Sequence, residues 1–312
     1  MDFTTVDIVE LVVSFIQFLF GITINGFIMG TFSMQWRRNK SLQASDTVLM
    51  FLSTTRFFWQ WVLSLMILYN YITFSLDFLQ LLTYISNFLE LSSLWLTSTL
   101  CFTYCVKITD HPNSLFIYVK LRVSMFVKWM LLASLLASLA FTLLLRFSWD
   151  IFSTDTDPRN STETNGTPSS ELLVCYVGAV PPFLIFCLAL LLFIYSFWIF
   201  IHRFKRSRTG FESPVLSDHL KVLKKIFFAL FLYIMYFISS GLFLFKRQQM
   251  AHWERWLFII YQFYPTAYLG WLILLNCRLK TVFLWGCVGY QYNQLFSFFS
   301  CDCSCTIQWD PL

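Results

Sequence analysis

The feature that most constrains this chain is the recurrence of seven apolar stretches, over Leu11–Trp36, Thr47–Tyr69, Phe78–Val106, Phe126–Leu145, Leu172–Ile201, Ile226–Phe245 and Leu257–Leu275. Each is close to or longer than the ~20 residues a helix needs to cross hydrocarbon at about 1.5 Å per residue. At 312 residues two soluble domains would be the ordinary expectation, but 57% of positions are hydrophobic and 12% charged. That is about half the charge density of soluble proteins. With 37 Phe and 12 Trp, the charged residues cannot cover a water-facing surface. The solvent is therefore lipid, where backbone polar groups must be satisfied within the segment, and a helix does this. The sequence predicts an all-α membrane protein, a seven-transmembrane helix bundle, and excludes disordered, collagen-like and nucleic-acid-binding classes.

Loop charge sets the orientation, because cytoplasmic loops retain Lys and Arg. With the N-terminus outside, sixteen of the 22 basic residues fall on the inner side, including Arg37, Arg38, Lys107, Lys120, Arg122, Arg203, Lys221, Lys224, Lys225 and Lys280. Arg146, Arg159, Lys246, Arg247 and Arg255 fall outside. The N-terminus is thus expected to be extracellular and the C-terminus cytoplasmic, with residues 1–280 forming the bundle and 281–312 a cytoplasmic tail. The start of the chain lacks the basic segment of a cleaved signal peptide, so the first span is expected to act as its own targeting signal. The longest outer loop, Ser148–Glu171, carries two N-glycosylation triplets, at Asn160 and Asn165. A third triplet, at Asn39, lies on the inner side and should stay bare. Of nine cysteines only Cys175 comes near an outer loop, so no bridge across the outer loops is expected. Cys301, Cys303 and Cys305 form a thiol cluster in the tail, where lipidation suits the position better than zinc.

Ionisable groups inside hydrocarbon are candidate functional residues, since each costs about 2.5–3.5 kcal/mol on insertion scales. The spans hold two, Arg56 and Glu90, at similar depths on neighbouring helices. Two readings stay open: an ion pair joining spans two and three, or separate roles. Glu90 lies on a stripe with Ser86, Ser93, Thr97, Cys101 and Tyr104, whose steps of three and four share one helix face. The outer part, Ser86 to Ser93, reads as a pocket wall and the inner part as helix contact. Tyr233, Tyr236 and Ser240 in span six, and Tyr261, Tyr264 and Tyr268 in span seven, form comparable stripes. Phenols present an apolar body and a polar tip, which suits varied organic ligands. Phe183 and Phe186 in span five would complete the cup. The four histidines lie in loops or at span ends and no catalytic triad can be assembled, so no enzyme, cofactor or metal site is expected. Span seven has no lysine for a retinal Schiff base, and span three ends Val106-Lys107-Ile108-Thr109 without the acidic-Arg-aromatic triplet of rhodopsin-like receptors.

Several motifs together resemble the bitter taste receptors, taste receptor type 2. They are Asn25-Gly26-Phe27-Ile28, the run Leu52 to Trp61 with Arg56 at the arginine, Leu115 to Val123, and His219-Leu220-Lys221-Val222-Leu223-Lys224 leading to Tyr233 and Tyr236. The chain departs from the family pattern in span seven, where Tyr268-Leu269 stands for His-Ser and Asn276-Cys277-Arg278-Leu279-Lys280 for Asn-Pro-Lys-Leu-Lys. Ser196 and His202 are six apart in span five, where the family keeps Ser and His close together. The resemblance implies a plasma-membrane, multi-pass receptor for bitter, chemically diverse small molecules that activates a gustducin-like heterotrimeric G protein. It implies ligand contact at the level of Glu90, with Tyr236 as a switch below the ligand. It also implies an inner network of Asn25, Arg56 and Thr266 joining spans one, two and seven. Lys107, Lys120, Arg122, His219, Lys221, Lys224 and Lys225 are the candidate G-protein contacts. A vomeronasal type 1-like pheromone receptor is the alternative, and a transporter or channel would need a polar path across the whole membrane that the spans do not supply.

Overall fold

The computed structural model describes residues 5–69, 75–108, 117–118, 121–154 and 168–206, with short stretches at 228, 231–235, 238, 263, 266–270, 273 and 279. Five long helices account for most of them: α1 (Thr5–Asn39), α2 (Ala44–Tyr69), α3 (Leu76–Ile108), α4 (Val123–Thr154) and α5 (Pro168–Arg206). Each contains one of the first five spans expected from the sequence and is longer than it, at both ends except in α2, which ends with its span at Tyr69. Arg37 and Arg38 in the last turn of α1 complement the helix dipole. Lys40 closes that helix with a left-handed φ of 49° while its N–H donates to the Trp36 carbonyl at 2.7 Å. Asp46 in the first turn of α2 complements the opposite pole.

The fold is inverted relative to a water-soluble protein. Large apolar side chains face outward, among them Phe15 and Phe20 on α1, Trp61 on α2, Leu136 and Leu144 on α4, and Leu188 and Leu192 on α5. Buried inside are Asn25, Arg56, Gln60, Ser92, Ser93, Thr97 and Ser138. Many interior hydroxyls donate to the carbonyl four residues back, as Ser53 does to Leu49 at 2.8 Å, Thr103 to Thr99 at 2.7 Å and Ser138 to Ser134 at 2.7 Å. That local bond satisfies the hydroxyl without a partner helix. By length and apolarity Leu11–Asn39 and Val123–Phe147 are each able to cross a membrane. In α2 the groups that dilute the apolar run, Ser53, Thr55, Arg56 and Gln60, are buried, so they do not meet lipid.

Side-chain pairings give the relative directions of the helices. Between α1 and α2, Phe18 meets Trp61, Gly21 meets Gln60 and Gly26 meets Phe57, so one number rises as the other falls and the pair is antiparallel. Between α3 and α5, Ser98 Oγ donates to the Pro182 carbonyl at 2.6 Å and Cys105 Sγ to the Ala189 carbonyl at 3.0 Å. Both numbers advance by seven, so α3 and α5 run parallel. Up-and-down threading requires this of odd-numbered spans. α3 packs against α2, α4 and α5 and is the central helix. Its burial is wider than a single stripe: Ser92, Ser98, Thr99 and Thr103 are buried as well as Ser86, Ser93 and Thr97.

Gly178 on α5 is tightly enclosed, because an added Cβ would come within 3.2 Å of Phe141 and 3.3 Å of Leu91. Gly30 has nothing within 4 Å. Gly178→Val is expected to destabilise the bundle by about 1–3 kcal/mol through overpacking. Gly30→Val should have little effect, and heat-inactivation midpoints of the two solubilised variants check the contrast.

Candidate functional site

The outer half of α3 supplies the first part of the site. Ser86 is buried, Glu90 half-buried and Ser93 fully buried, with Ser93 Oγ donating to the Glu90 carbonyl at 2.7 Å. From Leu91 to Leu100 every residue is buried except the half-buried Trp95, whereas Asn87, Phe88 and Glu90 are all half-buried. The packed interior therefore begins to loosen at Glu90, going outward.

On α5, Phe186 is 1% exposed and Phe183 half-buried. Both stack on Tyr233 of span six, Phe186 at 4.4 Å and 19°, Phe183 at 5.8 Å and 4°. This sandwich joins α5 to span six. The register fixed by Gly178 against Leu91 and by Ser98 against Pro182 sets Glu90 level with residues 174–177 of α5. Phe183 and Phe186 then lie roughly 9–14 and 14–18 Å further along α5, at about 1.5 Å per residue. The structure does not bring them beside Glu90; it places them as a floor beneath it. Tyr236, Ser240, Tyr261 and Tyr264 lie outside the described residues.

Asn25, Arg56 and Thr266 are all buried, at 1%, 2% and 3% exposure. Asn25 Nδ2 donates to the Gly21 carbonyl at 2.7 Å, while its Oδ1 has no hydrogen-bond partner. The antiparallel register of α1 and α2 sets Asn25 level with Arg56. Arg56 has its guanidinium carbon 5.5 Å from the Trp59 ring centre, a cation–π contact, and its Nη1 has no hydrogen-bond acceptor. The link to span seven is made instead by Gln60, whose Nε2 donates to Thr266 Oγ1 at 3.2 Å. Sequence reasoning missed Gln60; its one signal was its place four residues after Arg56, on the same helix face.

Sequence reasoning also missed Ser98 and Cys105, which fasten α3 to α5 by donating to backbone carbonyls. Lys107 lies at the end of α3, and Arg122 is exposed with its guanidinium 5.4 Å above the Tyr118 ring. Lys120, His219, Lys221, Lys224 and Lys225, and the glycosylation candidates Asn160 and Asn165, lie outside the described residues. Among the described residues no group of His, Cys, Asp and Glu could hold a metal ion.

With this arrangement in place, comparison with known proteins is specific. The family described as taste receptor protein (TAS2R) matches residues 1–289. The chain is 30% identical over 251 residues to taste receptor type 2 member 40 of Gallus gallus, covering 73% of this chain and 78% of the relative. It is 27% identical over 286 residues to taste receptor type 2 member 39 of Homo sapiens, covering 85% and 82%. To taste receptor type 2 member 3 of Pongo pygmaeus it is 28% identical over 296 residues, covering 88% and 91%.

Proposed function

The chain belongs to the taste receptor type 2 family, and on that premise we propose that it is a G-protein-coupled receptor for bitter, chemically diverse small organic molecules, acting through a gustducin-like heterotrimeric G protein. The bundle spans the plasma membrane seven times over residues 1–280, with the N-terminus outside and residues 281–312 as a cytoplasmic tail. The biased distribution of Lys and Arg supports this orientation, and Asn160 and Asn165 are glycosylated on the outer side. The alternating helix directions are those such a path needs.

The observation that carries the reading is the change in packing along α3. From Leu91 to Leu100 the helix is buried except at Trp95, and at Glu90 it is half-open. An organic ligand entering from outside can therefore reach a carboxylate where the packing tightens. Ser86, Glu90 and Ser93 form its α3 wall, with Tyr236, Ser240, Tyr261 and Tyr264 contributing from spans six and seven. The Phe183–Tyr233–Phe186 stack beneath couples ligand position to span six. A ligand acts as an agonist only in so far as it binds the active arrangement more tightly than the resting one. The inner surface of Lys107, Lys120, Arg122, His219, Lys221, Lys224 and Lys225 meets the G protein.

The test is agonist-dependent calcium release in cells expressing the chain with a promiscuous G-protein alpha subunit, screened against bitter compounds and amines. Saturable, dose-dependent responses absent from untransfected cells are expected. Uptake of a substrate into cells lacking any G protein, with no calcium response, would mark a carrier instead.

A further inference from the structure

Two buried polar side chains stand one turn apart on α2, and they meet span seven differently. Gln60 is 4% exposed and donates to Thr266 at 3.2 Å. Arg56 is 2% exposed and its Nη1 finds no acceptor. The reason is what span seven offers at each level. Gly21 and Ile24 of α1 approach Gln60 and Gly270 respectively, so α1 and span seven advance in step, and α2 runs against both. With Gln60 at Thr266, Arg56 falls level with Gly270 and its neighbour Leu269, which is 0% exposed. Neither carries a side-chain acceptor, and the polar side chain that span seven brings within electrostatic reach of Arg56 is the buried Tyr268 phenol.

Gln60 is also pinned from the α1 side. A Cβ on Gly21 would come within 2.8 Å of both Cδ and Nε2 of Gln60, closer than real Cβ contacts go. The amide therefore occupies the space that any other residue at position 21 would claim. A side chain at position 21 would therefore require the buried Gln60 amide to move, within a helix where glycine is otherwise unfavourable by about 1 kcal/mol relative to alanine.

We propose that Gln60 is a positioning residue: with Gly21 and Thr266 it forms a three-helix latch that holds span seven in the resting bundle, one turn outward of Arg56. The bond is neutral on both sides, so it can be broken and remade during a conformational change, whereas a buried charged pair could not be parted without leaving an unpaired ion. Its role in signalling rests on the receptor reading above; its role in holding three helices together does not.

Two measurements test it separately. The first needs no signalling: heat stability and surface staining of Gly21→Ala, Gln60→Ala and the double variant. Gly21→Ala is expected to lose stability because its methyl meets the amide, Gln60→Ala because it loses the bond to Thr266, and the double variant should be no less stable than Gln60→Ala alone, since the amide the methyl would meet is gone. If the double variant is as impaired as the sum of the singles, the clamp is overturned. The second is agonist-independent signalling, scaled to surface level. Thr266→Val, which keeps shape and loses the acceptor, is expected to shift the resting–active balance about two- to tenfold toward the active state, the range a neutral hydrogen bond carries. Thr266→Ser should stay at the parent level. Unchanged basal signalling in Thr266→Val, in a receptor that still answers its agonist, would overturn the switching role. A chain that answers no agonist yet shows a double variant no less stable than Gln60→Ala would leave the clamp standing and sink the receptor reading.

Discussion

Phe186→Ala is expected to strip most of the receptor from the cell surface, while Phe183→Ala leaves it largely in place. The two side chains lie three residues apart on α5 and both stack on Tyr233. Phe186 is 1% exposed and its ring centre is 4.4 Å from that of Tyr233, itself 0% exposed. Phe183 is half-buried and 5.8 Å away. In water-soluble cores Phe→Ala costs about 3–5 kcal/mol, part of it transfer out of water. Here the alternative environment is lipid, so the loss is that of packing and ring stacking, on the order of 3 kcal/mol at Phe186. That is about a hundredfold in the folded-to-unfolded ratio. Phe183 keeps contact with neighbours on one side only and should lose about a third as much. Flow cytometry of an N-terminal epitope on unpermeabilised cells, with total protein from the same lysate, measures the effect. Equal surface levels for the two variants would mean that the stack does not fix span six.

Much of the architecture was readable because hydropathy reports which solvent a segment meets. The first five spans are helices where the apolar runs placed them, but each helix is longer than its run. Span one was expected over Leu11–Trp36 and the helix extends from Thr5 to Asn39. Asp7, Glu10, Arg37 and Arg38 interrupt the hydropathy without interrupting the backbone hydrogen bonds, so an apolar window ends before the helix does. The depth of one helix against another was not legible. Periodicity assigned Glu90 to the interior and Phe183 and Phe186 were expected to complete the cup, yet the offset between α3 and α5 is set by Ser98 on the Pro182 carbonyl and Cys105 on the Ala189 carbonyl. A backbone acceptor leaves no mark in the side-chain pattern, so nothing in the sequence showed that the rings sit well inward of the acid. The grouping of Asn25, Arg56 and Thr266 came from family resemblance and not from spacing. Gln60 escaped for a related reason, since its partner is 206 residues away and its own neighbourhood reads as an ordinary polar break in an apolar run.

Glu90→Gln is expected to divide the ligands of this receptor into two classes. A carboxylate at the half-open level of α3 contributes to a bound amine through a charge-assisted hydrogen bond, worth about 1.5–3 kcal/mol in a setting where water competes poorly. The neutral amide keeps the shape and most of the hydrogen-bonding capacity but loses the charge. Half-maximal concentrations for cationic agonists should therefore rise roughly ten- to a hundredfold. Those for uncharged agonists should move by about twofold or less, because a neutral partner loses only an ordinary hydrogen bond. Removing an acid from a membrane helix relieves an insertion penalty of about 2.5–3.5 kcal/mol, so the surface level should hold or increase, and a fall in potency cannot be laid to lost protein. Glu90→Asp is the second arm. It retains the charge on a side chain shorter by one methylene and should recover part of the amine response without affecting neutral ligands. Dose-response curves for one amine and one uncharged agonist, each normalised to surface staining, decide the matter. Undiminished amine potency in Glu90→Gln at an unchanged surface level would remove the carboxylate from the binding cup, and parallel losses for both ligand classes would assign Glu90 to packing instead of recognition.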